Sequence, residues 1–313
     1  MITLASHQLN RQNILRIIGA IGTLTCLILF VRDFSWPTPD KLLVFLTFVF
    51  MMFSQALAML KRLGPVVAII FVYESFRGLA PSLNSHVHYT MMIHADQTLF
   101  NVLPTAWLQN LLWHGHVMWY DFVFYGAYML HFILPLGLML LIWKFHDKQY
   151  WRVAGTYLVL SFAGFLTFLL YPAAPPWLAS NGGYIPHITR VSSDVFNAMG
   201  VHDFPSLYNT LSPNPVAAVP SLHAAYATLL VIFLWRYFGR KWGLIAGIYP
   251  LLIWLGTVYM GEHYAVDELL GIIYAVAAYI GVYAFADKLW PRLQQRLPSL
   301  RRKSKTVAVD DPL

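Results

Sequence analysis

Long apolar stretches alternate with short polar segments along most of this chain. A helix that crosses a bilayer needs about 20 mostly apolar residues, because it rises only about 1.5 Å per residue. We therefore predict an all-α fold, a polytopic membrane helix bundle of about eight transmembrane helices. The predicted spans are 14–31, 41–60, 65–80, 118–143, 152–171, 217–238, 243–260 and 265–286.

Two segments do not fit this pattern of spans. Residues 81–117 include an amphipathic run from Leu99 to Trp113, which we expect to lie along the membrane interface. Residues 172–216 form a loop rich in Pro, Gly, Asn and Ser, and a loop of this length is usually functional or disordered. We place both segments outside the predicted spans.

Basic residues are concentrated in alternate segments between the predicted spans. If the N-terminus is cytoplasmic, 17 of the 21 Lys and Arg residues fall on the cytoplasmic side. This is the bias of the positive-inside rule, so we expect both termini in the cytoplasm. The net charge of +7 is then the difference between a basic inner face and an acidic outer face.

The composition agrees with a membrane protein. Hydrophobic residues make up 58% of the chain and charged residues only 11%, against about 25% charged residues in soluble domains. These figures argue against a soluble enzyme, a disordered chain and a nucleic-acid-binding module. The single cysteine, Cys26, excludes a disulfide framework and a thiolate metal cluster.

Two histidine-containing segments lie at the predicted outer ends of helices. Pro220, Ser221 and His223 open the sixth span, and the seventh and eighth spans are joined through His263 and Asp267. Ionisable residues in membrane segments are energetically costly and by default mark functional sites. The alternative is that these two histidines only cap helices. A helix that starts near His263 brings Asp267 to the same side, where a carboxylate orients an imidazole. Pro220 fits the first turn of a helix, whose free N–H groups bind anions.

The third predicted span carries a second candidate, Glu74 and Arg77, near its outer end. The guanidinium of Arg77 is permanently charged and matches a phosphate group bidentately. Glu74 lies one turn away and is suited to orient it. The alternative is a purely structural ion pair between the two residues.

A polar stripe on the fourth predicted span is a third candidate. Asp121, Tyr125, Tyr128 and His131 recur at helical spacing, so their side chains share one face. We expect this face to bind the polar part of a substrate. Ordinary packing and interfacial anchoring of the aromatic residues is the alternative.

The remaining histidines do not form a metal-binding pattern. His86, His88, His94, His114 and His116 include no His-Glu-x-x-His helix, and no pair of cysteines is present. The sequence also has no Gly-Lys-Ser/Thr loop and no dinucleotide-binding glycine pattern. We therefore expect no metal and no cofactor.

The two histidine segments resemble motifs of the type 2 phosphatidic acid phosphatase superfamily. Pro220, Ser221 and His223 match the second motif of that family, Pro-Ser-x-His. His263 and Asp267 match the end of the third motif, His-x-x-x-Asp. Within the superfamily, the branch of inositol phosphorylceramide synthase-like phosphotransferases looks most similar.

Other positions depart from the general superfamily pattern. Thr257 stands where the third motif has an arginine, and Arg190 on the outer loop is a candidate substitute. In the first motif, Arg77 lacks the following proline, and Ile70 stands at the lysine position. Both departures recur in the synthase-like branch, which also has a Pro-Ala-Pro-Pro-Trp-like element similar to residues 172–177.

The resemblance covers about residues 65–286, which hold the last six predicted spans. We therefore expect three parts in the chain. They are two N-terminal transmembrane helices in residues 1–64, a six-helix catalytic membrane domain in residues 65–286, and a basic cytoplasmic tail in residues 287–313.

The resemblance implies a metal-independent transfer in two steps. His263 attacks the phosphorus of a lipid phosphoester and forms a phosphohistidine, while Asp267 orients the imidazole. His223 protonates the leaving oxygen and then takes a proton from the acceptor. Arg77 and the helix-start amides at Ser221 hold the phosphoryl oxygens.

The leading hypothesis is a membrane phosphotransferase that moves a phospho-headgroup between a lipid phosphoester and an alcohol. A lipid phosphate phosphatase would use the same site with water as the acceptor. A membrane transporter, the alternative from another class, predicts ionisable residues distributed through the membrane depth.

The expected partners are membrane lipids, not nucleic acid. The chain has no Asn-x-Ser/Thr sequon, and we expect a bacterial cytoplasmic membrane protein with its site on the non-cytoplasmic face.

Overall fold

The computed structural model describes residues 2–32, 38–200 and 214–296. Within these ranges the secondary structure is helical, apart from isolated bridges between short extended segments. The helices are α1 (Ile2–Arg32), α2 (Pro39–Met52), α3 (Ala56–Leu83), α4 (Met91–Phe100), α5 (Pro104–Leu112), α6 (Trp119–His146), α7 (Tyr150–Leu170), α8 (Pro176–Asn181), α9 (Val191–Ala198), α10 (Leu222–Phe238), α11 (Arg240–Ala246), α12 (Ile248–Tyr259), α13 (Ala265–Ala284) and α14 (Trp290–Arg296).

The predicted fold class, an all-α membrane helix bundle, is confirmed. Among the described residues, 5 helical stretches are long and apolar enough to cross a membrane. They contain α1, α3, the α6–α7 pair, the α11–α12 pair and α13. Helix α10 is also apolar but shorter, with 17 residues. A buried core joins α3, α6, α7, α10 and α13, so these helices form the centre of the bundle.

The boundaries of two predicted spans differ from the structure. The predicted span 41–60 is interrupted after α2, where Ser54 has a φ of 58° and the chain turns. Its second half belongs to α3, which also contains the whole of the predicted span 65–80. Hydropathy did not reveal the break, because the residues on both sides of the turn are apolar.

The sixth predicted span, 217–238, begins later than expected. Helix α10 starts at Leu222 with Ser221 as its N-cap, so Pro220 precedes the cap. The prediction that Pro220 lies in the first turn is therefore wrong. The chain before it is extended, since Ala217 forms a parallel bridge with Ala173.

Short helices fill the segments outside the predicted spans. The amphipathic run predicted over residues 99–113 is divided between α4 and α5, because Asn101 ends α4 with a φ of 59°. The loop over residues 172–216 contains α8 and α9, although its residues 201–213 lie outside the described residues. In the predicted tail over residues 287–313, the description ends with α14.

Candidate active site

The two predicted histidines meet at one end of the bundle. The Nδ1 atom of His223 lies 3.3 Å from the Nε2 atom of His263. On the other side of the same ring, Nδ1 of His263 lies 3.6 Å from an oxygen of Asp267. The His263 and Asp267 side chains are 7% and 0% exposed, whereas His223 is half-buried. Nε2 of His263 therefore faces His223, while Nδ1 faces the carboxylate.

Backbone hydrogen bonds fix the two motifs against each other. The N–H of Ser221 donates to the carbonyl of Asp267 at 3.1 Å, which links the start of α10 to the start of α13. The carboxylate of Asp267 accepts from the N–H of Tyr264 at 2.9 Å. Gly271 makes the close approach possible, since a Cβ there would lie 2.3 Å from the Ser221 carbonyl oxygen. The relative position of the two histidines is therefore set mainly by backbone contacts.

Asp96 of α4 holds the N-terminus of α13. Its two oxygens accept from the N–H groups of Ala265 at 3.0 Å and Val266 at 2.8 Å, and the residue is 0% exposed. Burial raises the pKa of Asp96 to about 6, against the lowering effect of these two hydrogen bonds. Asp96 thus satisfies helix-start donors of the helix that carries Asp267.

Aromatic rings enclose His223. The ring of Tyr128 stacks on it with a centroid distance of 4.4 Å, and the ring of His131 approaches it at the same distance. His131 in turn stacks on Tyr226 of α10 at 4.6 Å. The polar stripe predicted on α6 therefore lies against the His223 side of the site.

The other two members of the predicted stripe lie in different surroundings. Tyr125 is buried and stacks with Tyr128 at 6.2 Å, next to the enclosing rings. Asp121 is 0% exposed, and its carboxylate accepts from the hydroxyl of Tyr259 at 2.8 Å and the N–H of Met118 at 2.7 Å. The structure thus gives Asp121 a helix-capping contact at the start of α6.

Arg77 and Glu74 form an ion pair on α3, with 3.2 Å between guanidinium nitrogen and carboxylate oxygen. The Arg77 side chain is 23% exposed and that of Glu74 is 8% exposed. The positive charge of Arg77 acts electrostatically on both His131 and His223. The structure therefore places the Arg77 charge close enough to both histidines to affect them.

A second cation, Arg190, lies directly before α9. It donates to both carboxylate oxygens of Glu262, at 2.8 and 3.3 Å, and its guanidinium lies 4.3 Å from the centre of the Trp177 ring. Ser192 donates to the same carboxylate. Because Glu262 precedes His263 directly, this pair brings Arg190 next to the third motif.

The charges around His263 set its protonation. Burial lowers the pKa of this imidazole, but the contact and charge of Asp267, with the charges of Glu268 and Glu262, outweigh burial and raise it. Among the described residues, no group of three or more His, Cys, Asp or Glu side chains is arranged to hold a metal ion.

Comparison with known proteins identifies the family. A model of the PAP2 superfamily matches residues 90–281, which include both histidine segments. The chain belongs to the PAP2 superfamily. No solved structure matches it.

The curated relatives of this chain indicate which branch of the PAP2 superfamily it resembles. A phosphoinositol dihydroceramide synthase of Bacteroides thetaiotaomicron is 33% identical over 172 residues, 50% of this chain and 54% of that protein. The inositol phosphorylceramide synthase catalytic subunit aur1 of Schizosaccharomyces pombe is 30% identical over 216 residues, 65% of this chain and 47% of its own. An inositol phosphorylceramide synthase of Candida albicans is 26% identical over 161 residues, 48% of this chain and 33% of its own.

These names confirm the resemblance to the inositol phosphorylceramide synthase-like branch of the PAP2 superfamily. The chain spans about half the length of the first two relatives. Its apolar helices and lipid-enzyme relatives identify an integral membrane protein.

Sequence reasoning missed three residues of this PAP2 site, Asp96, Tyr226 and Glu268. Asp96 and Tyr226 contact the motif-bearing helices, and Glu268 follows the predicted Asp267 directly. The sequence contained a signal for Glu268, because this residue is acidic and lies in an apolar segment. No sequence spacing links Asp96 to α13, because that contact joins residues about 170 positions apart.

Proposed function

We propose that this protein is a membrane phosphotransferase that moves a phosphoinositol headgroup from a phospholipid to the hydroxyl of a ceramide-type lipid. The observation that carries the proposal is the series His223, His263 and Asp267, with 3.3 Å and 3.6 Å between successive side chains. The substrate classes are taken from the names of the relatives, which include phosphoinositol and dihydroceramide.

In the first step, Nε2 of His263 attacks phosphorus and an N–P bond forms. The bond from phosphorus to the diacylglycerol oxygen breaks, and this oxygen takes a proton from His223. Asp267, next to Nδ1, holds the ring with Nε2 available as the nucleophile. Because His223 and His263 are 3.3 Å apart, the two rings separate when a phosphoryl group enters.

In the second step, the acceptor hydroxyl attacks the phosphohistidine. Its oxygen bonds to phosphorus, its proton passes to His223, and the N–P bond to His263 breaks. The enzyme returns to its starting state, and a new phosphodiester leaves. With water as the acceptor, the same step releases the headgroup phosphate, which is the phosphatase alternative.

Positive charge and N–H groups stabilise the phosphoryl oxygens during both steps. Arg77 is suited to this role, since its charge acts on the histidines. The start of α10 at Ser221 offers helix N-terminal amides. Arg190 is suited to replace the arginine that is missing at Thr257, because it pairs with the residue before His263.

We further propose a bacterial cytoplasmic membrane, with the site on the non-cytoplasmic face and both termini in the cytoplasm. The distribution of Lys and Arg supports this topology, since 17 of the 21 fall on the opposite side from the histidines. The division into residues 1–64, 65–286 and 287–313 stays a proposal of the same kind.

The test is a reconstitution of the purified full chain in nanodiscs with phosphatidylinositol and dihydroceramide. Mass spectrometry is expected to detect phosphoinositol dihydroceramide and diacylglycerol, and acid-labile phosphate on the protein after donor alone. His263→Ala is expected to abolish both signals, while His116→Ala, on an exposed loop, keeps them.

Each alternative has its own outcome in this assay. Free inositol phosphate without a new phosphodiester favours the phosphatase. Full activity of His263→Ala contradicts the mechanism. In a parallel reconstitution into sealed vesicles with the same lipids, lipid movement between the leaflets without either product favours a transporter.

A further inference from the structure

A large groove runs along one face of α6, outside the site described above. Its volume is about 2240 Å³, whereas pockets for drug-sized ligands measure about 300–1,000 Å³. The lining residues of α6 recur every three or four positions, so they share one face of that helix. They include Phe122, Gly126, Leu130, Leu134, Gly137 and Leu141.

This face is opposite to the one that carries the polar stripe. Leu130 follows Asp121 by nine residues, and Gly137 follows Tyr128 by nine residues. Nine residues make about two and a half turns of an α-helix, which puts each pair on opposite sides. Because Tyr128 stacks on His223, the thickness of α6 separates the groove from the histidines.

Two other parts of the bundle form the walls of the groove. One wall is the start of α3, with Leu57 and Ala58, and the other is α11 and α12, with Ile245 and Ile248. Leu57, Ile245 and Ile248 are all exposed apolar side chains. The groove therefore opens sideways to the surface that faces lipid, where acyl chains can enter it.

Positive charge is concentrated at the end of the groove away from the histidines. Lys144 follows His131 by 13 residues on α6, which is about 20 Å along the helix. Lys61 and Arg62 line the same end. Asp147 is the one carboxylate among the lining residues, and it pairs with Arg62 at 2.9 Å. Lys61 and Lys144 thus give this end of the groove two further positive charges.

Two tryptophans line the charged end as well. Trp143 directly precedes Lys144 and packs against Phe50, with 5.8 Å between the ring centroids. Trp242 lies on α11, which follows the end of α10 away from Ser221, and its side chain is exposed. Tryptophan is enriched at the level of lipid headgroups. Lysines and tryptophans together therefore mark a headgroup level at this end.

The groove continues from this level to the depth of acyl chains. Gly137 precedes Lys144 by seven residues, about 10 Å along α6, and one leaflet of the hydrocarbon core is about 15 Å thick. No atom lies within 4 Å of the position that a Cβ of Gly137 would take. The missing side chain leaves space where a lipid chain would lie.

We propose that this groove binds one anionic phospholipid, with its phosphate at Lys61 and Lys144 and its acyl chains along α6 past Gly137. Basic pockets between transmembrane helices recognise anionic headgroups, and the apolar walls match the chains. In the proposed topology this lipid belongs to the cytoplasmic leaflet. The site lies apart from His223 and His263, so its occupancy does not depend on the proposed transfer reaction.

Native mass spectrometry of the purified full chain tests the headgroup preference. The protein is titrated with phosphatidylglycerol, and separately with phosphatidylcholine that has the same acyl chains. One phosphatidylglycerol is expected to bind at least about tenfold more tightly than phosphatidylcholine, because only its headgroup has a net negative charge. Equal affinities for the two lipids overturn the proposal.

Charge variants locate the headgroup. K61Q/K144Q is expected to weaken phosphatidylglycerol binding about 10- to 30-fold and to leave phosphatidylcholine binding unchanged. Lys148 and Lys288 are exposed lysines that do not line the groove, so K148Q/K288Q removes the same amount of charge elsewhere. If this control loses as much affinity as K61Q/K144Q, the preference comes from general surface charge and the proposed site is wrong.

A space-filling variant locates the acyl chains. Gly137→Leu puts a side chain into the groove and is expected to weaken the binding of both lipids about tenfold or more. Gly155→Leu on α7 is the control, since Gly155 also has no atom within 4 Å of its new Cβ and does not line the groove. Both variants are expected to have the same melting temperature in lipid-free detergent. Wild-type lipid binding by Gly137→Leu contradicts the proposal.

Other occupants of the groove have distinct outcomes in the same spectra. A dimer of the chain that excludes phosphatidylglycerol assigns the groove to a second copy. Displacement of phosphatidylglycerol by equimolar dihydroceramide assigns it to a neutral lipid, and either result overturns the proposal. His263→Ala is expected to keep wild-type lipid binding, so a failure of the proposed transfer reaction leaves this test intact.

Discussion

The N-terminal helix α1 and the helices that meet at the histidines differ in how much of their side-chain surface is buried. In the apolar window of α1 only 6% of residues are buried, against 44% in the window of the α6–α7 pair. At the histidine end, even polar residues such as Ser221 and Asp267 are 0% exposed. Most side chains of α1 are exposed on the surface of the protein, whereas close packing and hydrogen bonds constrain those around His263.

The largest effect is expected where a reacting group is removed. His223→Gln replaces the proposed acid and base, whose contribution is typically about 100- to 10,000-fold. We expect the transfer rate to fall about 1000-fold with unchanged thermal stability. His116→Gln, on an exposed loop, is the control, because it makes the same substitution without removing the proposed acid and base. A loss below tenfold for His223→Gln contradicts its role.

The next largest effect tests the backbone approach at the site. Gly271→Ala adds a Cβ that lies 2.3 Å from the Ser221 carbonyl oxygen, so α10 and α13 must separate. We expect about 100-fold lower activity, together with a lower melting temperature. Gly281→Ala on the same helix has no atom within 4 Å of its new Cβ and is the control. Equal behaviour of both variants would show that the close approach is unimportant.

A smaller effect is expected from the rings around His223. Tyr128→Leu removes the ring that stacks at 4.4 Å, and aromatic pairs contribute about 0.5–1.5 kcal/mol. We expect about a tenfold lower rate, measured as product formed per minute. Tyr128→Phe keeps the ring and is expected to retain most of the activity. If it is as slow as Tyr128→Leu, the hydroxyl matters more than the stack.

The smallest effect is expected in α1. Ile21 is 61% exposed in the protein and faces outward, so Ile21→Ala is expected to change stability by less than about 0.5 kcal/mol. Leu229 of α10 is 0% exposed, and Leu229→Ala is expected to cost about 2–5 kcal/mol. Unfolding in nanodiscs, followed by intrinsic fluorescence, measures both. Similar losses would contradict the difference between the two regions.

Much of this architecture could be predicted from hydropathy and motif spacing. Each predicted span overlaps a helix, and His223, His263 and Asp267 come together. These features depend on composition within one segment or on short sequence separations. The turn at Ser54 and the late start of α10 depend on local backbone geometry, which apolar periodicity does not report.

The contacts that could not be predicted are those between distant segments. Asp96 lies in a segment predicted only as interfacial, yet it binds the first N–H groups of α13. In the sequence, Tyr226 is one of many aromatic residues in the predicted spans, yet in the structure its ring stacks on that of His131. Such pairings depend on the folded arrangement, and one sequence contains no periodic signal for them.

The short extended segments before α10 have a consequence for how this site changes in evolution. His88 donates its N–H to Pro172 at 2.8 Å and accepts from Ala174 at 3.0 Å, and Ala173 donates to Val216 at 2.9 Å. All of these bonds use backbone atoms, so most side-chain replacements leave them intact. Ala173, Ala174 and Val216 are also buried, so replacements there are limited by space, while the backbone bonds keep the segments on the same path toward α10.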